Sequence, residues 1–443
     1  MIRGGSLMRW IAGIVIGAVA VGLWLGTTQT PADSGTYWSQ WRGPEATGVS
    51  PAGDPPVEWS EGKNIRWKVA IPGKGHASPI VWDQTIFVAT AIPTERKNPV
   101  VGEGQIKPTQ VLKFDLMALD RKTGKVLWQR TTREQGPHEG THGANTWASA
   151  SPVTDGEHVY AYFGSFGLYC MDMKGNPVWE KDLGDMTVRL HFGEGSSPLL
   201  YGNKIVIIWD HQGDSFIVAL DKRTGDELWR VSRDEETSWS SPIVVEHGGR
   251  KQVVTSATNR VRSYDLETGD LLWDGSGVTL NAIPSPVSSE GLVFVTSGFR
   301  GNVLQAIRIG SAQGDITGSE AIAWELDRDT PYIPSPLLYG DLLYFVKGNK
   351  GILSCLNAKT GEAHYGPLRL EGIEGVYASP VGAGNRVYLP SQNGITIVIR
   401  RSPEFEVLAR NTLEDAFDAS PAIVDKELFM RGRKFLYCVA ADS

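Results

Sequence analysis

The chain has 443 residues, room for two or three average domains or one large repeat domain, and its 41% hydrophobic and 21% charged content is that of a soluble globular protein. A formal net charge of -7, with no long run of like charges, argues against nucleic acid as a partner, because phosphate binding needs a basic face. Three cysteines, Cys170, Cys355 and Cys438, lie far apart in apolar stretches, which excludes a disulfide framework or a CxxC pair and reads as small buried side chains.

At the N-terminus Arg3 and Arg9 precede an apolar run over residues 10–26, and the next charge is Asp33. Basic residues before the run and none directly after it place the N-terminus in the cytoplasm and the remainder outside. Residues 1–34 therefore read as a signal anchor holding the protein in the inner membrane by one N-terminal helix, or as a cleaved signal peptide releasing it into the periplasm. Residues 35–64 form an extracytoplasmic leader, and residues 65–443 form the repeat domain.

Strands dominate the remainder. A Ser-Pro pair opens a strand at Ser78, Ser151, Ser197, Ser241, Ser285, Ser335, Ser379 and Ser420, with successive spacings of 41 to 50 residues after a first spacing of 73. A strand-built repeat of that length is the mark of a propeller blade. Inside each repeat a short apolar strand, a turn and an alternating strand lead to a third strand ending in Ala-x-Asp. A hairpin then leads into a fourth strand carrying Trp.

The hairpin from Ala118 to Trp128, with Asp120, Thr123 and Gly124, recurs with Asp221, Thr224 and Gly225, with Asp265, Thr268 and Gly269, and in degraded form with Asn357, Thr360 and Gly361. Asp or Asn accepts bonds from turn amides, and Gly takes the left-handed position that closes such a hairpin. The tryptophans at 67, 128, 179, 229, 273 and 324 are placed to wedge against the adjoining blade. The strand around Ile65-Arg66-Trp67 has no blade before it, and the chain stops after a third strand around Phe435 to Val439. Joining the two closes a ring of eight blades without an open sheet edge. The first repeat carries an insertion over about residues 91–111, the fifth a longer connection over residues 310–320, and the seventh lacks both Gly and Trp at its hairpin.

The pattern Ser-Pro … Ala-x-Asp-x-x-Thr-Gly-x-x-x-Trp resembles the PQQ-type repeat with its tryptophan-docking motif, over nearly the whole extracytoplasmic part. The leader segment Trp38-Ser39-Gln40-Trp41-Arg42-Gly43-Pro44 also resembles one seen before such propellers. The resemblance implies an all-β, eight-bladed propeller of four-stranded blades and two functional branches. One is BamB, the propeller subunit of outer-membrane β-barrel assembly, which implies protein or peptide partners, no cofactor and no catalysis. The other is the quinoprotein dehydrogenases, which hold pyrroloquinoline quinone and calcium in the funnel. The chain departs from the enzymes in having no adjacent cysteine pair, and from BamB in lacking a lipidated cysteine near its leader.

Residues just before each Ser-Pro ring one mouth of the funnel: His76, Trp147, Glu194, Trp239, Asn281, Tyr332, Tyr377 and Asp418. Loops on a rigid scaffold are the usual place for binding, although every propeller must put some residue there. These eight are the candidate ligand site. Glu194 and Asp418 are the acids a quinoprotein would draw on, and Trp147, Trp239, Tyr332 and Tyr377 offer stacking surfaces to a carbohydrate or other small molecule. His138 and His142 have metal-pair spacing only on a helix, and Gly136, Pro137, Gly140 and Gly143 argue against one.

Overall fold

The computed structural model describes Met1 and residues 37–100, 102–347 and 349–441. The chain divides into two compact units, Met1–Asp33 and Ser34–Ser443, and the described fold belongs to the second. The N-terminal hydrophobic helix expected from residues 10–26 lies outside the described residues. Among the described residues no helix is long and apolar enough to cross a membrane.

Each Ser-Pro starts the inner strand of a separate antiparallel sheet, and eight such sheets form. Blade 1 consists of Ile80–Trp82, Thr85–Lys97, Gln110–Asp120 and Val126–Gln135. Blades 2 to 7 follow, from Val153–Thr154 in the second to Val407–Thr412 in the seventh. Blade 8 takes Ala422–Val424, Glu427–Arg431 and Phe435–Val439 from the end of the chain and its outer strand, Ile65–Ala70, from the beginning. Ile65 faces Val439 and Ala70 faces Phe435, so the expected closure forms in antiparallel register.

No apolar centre fills the ring. Its core is divided among seams where neighbouring blades pack face to face, such as Phe87, Leu116 and Ala118 of blade 1 against Val159, Ala161 and Met171 of blade 2. The tryptophans secure these seams. Trp67 donates its indole N–H to Arg121 O, Trp128 to Met173 O, Trp179 to Lys222 O, Trp229 to Leu266 O and Trp324 to Ala358 O, all at 3.0–3.1 Å. Trp273 departs from the pattern and bonds Gln252 Oε1 within its own blade.

The hairpin glycine has two roles. Gly124 has φ 71°, and a Cβ there would lie 2.7 Å from the Trp67 ring. The expected left-handed turn is thus also the seat for the preceding blade's indole.

The repeated serine has a structural cause. The amide of Ser78 donates to Ser151 Oγ, and the same bond links Ser151 to Ser197, Ser197 to Ser241, Ser241 to Ser285, Ser285 to Ser335, Ser335 to Ser379 and Ser379 to Ser420, at 2.8–2.9 Å. Each hydroxyl fastens its blade to the previous one around the inner rim. The ring is broken where blade 8 meets blade 1, since Ser78 Oγ is buried without a hydrogen-bond partner.

The insertions extend the framework. Residues 91–111 lengthen two strands of blade 1 and return over the loop at 138–145, with Ile106 bridged to Thr141. The long connection of blade 5 contributes Gly314–Asp315, which pairs in parallel with the outer strand of blade 4.

Candidate functional site

A cavity of about 450 Å³ occupies the channel inside the ring. Loops entering the inner strands and loops joining second to third strands converge on it, as the blade topology requires. Of the eight candidate residues, His76, Trp239, Tyr332, Tyr377 and Asp418 line this cavity. Trp147 and Glu194 instead line an adjoining, partly open cavity of about 40 Å³ between blades 2 and 3, a volume suited to a water molecule rather than an organic ligand. Trp239 borders both. Asn281 is buried and supports Tyr332, donating from Nδ2 to the phenol oxygen at 3.3 Å.

The channel residues are held by neighbouring loops. Asn349 donates to Tyr377 Oη at 3.2 Å, Trp239 donates to Gly193 O at 2.6 Å, and Phe299 stacks on Tyr332 with ring centroids 4.9 Å apart. Tyr332 therefore has one face covered, and Trp147 is not on the channel, so two of the four stacking surfaces named for a carbohydrate are compromised.

Asp418 is the only carboxylate on the channel wall among the described residues. It accepts from Arg433 Nε at 2.7 Å and Gln392 Nε2 at 2.5 Å, and lies 3.3 Å from His76 Nε2. Burial raises its pKa, but Arg433, His76 and Gln392 outweigh that and hold it below the usual carboxylate range. Burial pushes His76 down to about 4, against the pull of Asp418 and with the repulsion of Arg431 and Arg433. The imidazole is consequently neutral at neutral pH.

The far end of the channel is closed by the leader, which sequence reasoning treated only as a segment preceding the propeller. Tyr37–Trp38 pairs with the inner strand of blade 1, opposite Trp82 and Val81, and Ser39 O accepts from Thr154 of blade 2. Trp41 lines the cavity. Arg42, fully buried, donates to Pro336 O at 2.7 Å and Pro380 O at 2.6 Å at the starts of blades 6 and 7. Ser50 and Gly48 bond both ways with Gly382 of blade 7, and Asp54 bonds Asp425 O of blade 8. Ala46 packs against the core between blades 4 and 5, and Gln40, Trp41 and Arg42 face the inner strands of blades 3 to 5 across a small gap. The leader thus contacts blades 1, 2 and 4 to 8 and caps the channel at the Trp41 end.

In the smaller cavity Glu194 accepts from Ser165 Oγ at 2.6 Å and Ser165 N at 2.9 Å, yet burial pushes it up to about 7. Its ordinary value is 4.5, so between these limits the unfolded chain ionises first and binds fewer protons than the native state. Stability from this group is full below pH 4.5 and is lost as pH rises to about 7. Glu194→Gln is expected to remove that loss, gaining roughly 1–3 kcal/mol over the wild type at about pH 8 relative to about pH 4. Urea denaturation at both pH values checks it; a pH-independent difference would show that the carboxyl is not desolvated.

His138 and His142 do not converge on a metal. His138 Nε2 bonds Met186 O, while His142 Nδ1 accepts the Ala144 amide. No group of three or more His, Cys, Asp or Glu side chains able to hold a metal ion occurs among the described residues.

The closed ring, its four-stranded blades and the recurring hairpin define an eight-bladed β-propeller of the PQQ-repeat type. The family model for outer membrane protein assembly factor BamB matches residues 52–213 and 213–442, and the chain belongs to that family. An outer membrane protein assembly factor BamB from Francisella salina is 27% identical over 236 residues, 51% of this chain and 41% of that protein, so the match spans less than half of that relative's length. Among solved structures, BamB from Moraxella catarrhalis aligns with a TM-score of 0.52 and 13% identity over 79% of this chain and all of that one. A europium-containing methanol dehydrogenase aligns with a TM-score of 0.62 and 12% identity, over 90% of this chain and 89% of that one. At these identities the structural likeness is one of fold.

The residues present do not fit a calcium–quinone centre. Among the described residues the channel offers one carboxylate, already engaged by Arg433, Gln392 and His76. Cys170, Cys355 and Cys438 are buried singly in blades 2, 6 and 8 rather than paired over the funnel.

Proposed function

We propose that the protein is an extracytoplasmic, non-catalytic propeller that receives a protein or peptide partner at the open mouth of its channel. The observation carrying this reading is the one-ended channel itself. Trp239, Tyr332, Tyr377, Phe192 and Phe299 give it mainly apolar walls, Trp41 gives it a floor, and Asp418, the one acid among its described lining residues, is already paired with Arg433. Such a pocket offers desolvation and shape to an inserted side chain. Family membership supports a protein partner, and the basic–apolar N-terminus supports a membrane-proximal, extracytoplasmic location.

The test is photo-crosslinking. With p-benzoylphenylalanine at position 332 or 377, irradiation of native membranes is expected to give discrete protein adducts that are absent with the probe at the exposed hairpin position 359. Equal labelling at all three positions would overturn the reading. So would dye-linked alcohol oxidation after addition of pyrroloquinoline quinone and calcium.

A further inference from the structure

The serines at the inner rim hold a chemical instruction that the functional reading does not use. A hydroxyl has one hydrogen to donate and two lone pairs. In seven of the eight serines a lone pair already takes the neighbouring blade's amide. None of the eight donates to a protein acceptor among the described residues, and Ser197, Ser241, Ser335, Ser379 and Ser420 line the cavity together with Ser78, whose own hydroxyl is buried. The rim is therefore a crown of hydroxyl donors, and a molecule that meets it must bring acceptors.

The charge around the channel has the matching sign. Arg42, beside the floor residue Trp41, bonds only main-chain carbonyls. Arg431, fully buried, bonds Ala77 O at 3.2 Å and Ala89 O at 2.5 Å, and Ala77 lies between the lining residues His76 and Ser78. Neither guanidinium has a carboxylate partner among the described residues, and Asp418 is matched by Arg433. Two buried positive charges thus stand uncompensated next to the crown, where the low dielectric strengthens their field.

We infer that the channel binds a carboxylate carried on an aromatic or aliphatic body, the carboxylate at the serine crown and the body against the aromatic walls. The inference rests on the reading that this mouth is the binding end, and it adds the chemistry of what enters. A free organic acid and the C-terminal residue of a polypeptide both present that group.

Calorimetric titration of the full chain separates these. The probes are phenylpropionate with phenylpropanamide, and a heptapeptide ending in phenylalanine as free acid and as C-terminal amide. At least one acid is expected to bind about tenfold or more tightly than its amide, since hydrogen bonds to a charged acceptor are worth about twice neutral ones. Acid preference in the peptide pair identifies a polypeptide terminus as the source. Preference confined to phenylpropionate supports the carboxylate site while removing the peptide partner. A measurement needing no variant accompanies them. Bound acid, but not amide, is expected to raise the titration of the His76 ring, which faces Asp418, Arg431, Arg433 and the backbone of Ala144. Equal affinity of acid and amide in both pairs, or no binding of any probe, would overturn the inference, and protein crosslinks at position 332 would still leave the functional reading standing.

Discussion

Trp67→Ala is expected to lower unfolding free energy by about 3–5 kcal/mol, and by clearly more than Trp128→Ala. Both indoles donate to a carbonyl of the next blade, but Trp67 is 9% exposed and belongs to the strand that closes the ring. Its ring packs on Gly124 and lies 6.0 Å from Phe429. Around it Arg121 Nε bonds Glu427 Oε2 at 2.5 Å, Arg121 Nη2 bonds Asp425 Oδ2 at 2.6 Å, and Arg66 also meets Glu427. This seam is the one that lacks the serine bond, because Ser78 Oγ has no partner. Side-chain locking must therefore replace what the inner rim provides elsewhere. Without the indole the outer strand Ile65–Ala70 loosens and the edge of Phe435–Val439 opens, so amides of blade 8 are expected to lose hydrogen-exchange protection first. Equal losses for the two variants, or uniform loss of protection, would show that closure is no weaker than any other joint.

The blade count, the strand order and the closure were legible because each rests on a local rule repeated many times. Ser-Pro starts, Ala-x-Asp hairpins and their tryptophans recur in register, and the lone strand around Trp67 and the three-stranded blade at the other end of the repeat array complete each other. Position within the repeat also predicted the channel lining at His76, Trp239, Tyr332, Tyr377 and Asp418. It failed to separate them from Trp147 and Glu194 because in that sector neighbouring loops, including Gly193–Gly195 and Glu139, form a small cavity of their own beside the channel. Repeat arithmetic assigns a blade and an end, not the tilt of one loop. Phe192 and Phe299 were missed for the same reason, lying in connections that carry no period. The leader was opaque in a different way. Its bonds run to carbonyls more than 290 residues away, such as Pro336 O and Pro380 O, and main-chain acceptors leave no trace in sequence. The only available signal was an arginine between Trp41 and Gly43 in a segment dense with tryptophan and glycine.

Arg42→Ala tests whether the leader is part of the fold or a loose tail. The guanidinium is 2% exposed and spans Thr47 O within the leader, Pro336 O in blade 6 and Pro380 O in blade 7. Burial lowers its pKa only to about 9, so it stays cationic at neutral pH. Truncation leaves three carbonyls unpaired in the interior, and the expected cost is about 3 kcal/mol or more. Arg42→Lys is expected to recover little of this, because one ammonium cannot reach acceptors on two blades with the spread of a planar fork. Arg42 also has φ 68°, which strains any side chain, so Arg42→Gly should be less damaging than Arg42→Ala by roughly 1 kcal/mol. That order, Gly above Ala with Lys close to Ala, follows only if both the backbone geometry and the forked bonding hold. Because Trp41 forms the floor, the same variants should open the channel at its closed end, and limited proteolysis is expected to cut near residues 40–48 in them and not in the parent. Thermal melts indistinguishable from the parent would mean that the leader closes nothing, and the channel would then have to be treated as open at both ends.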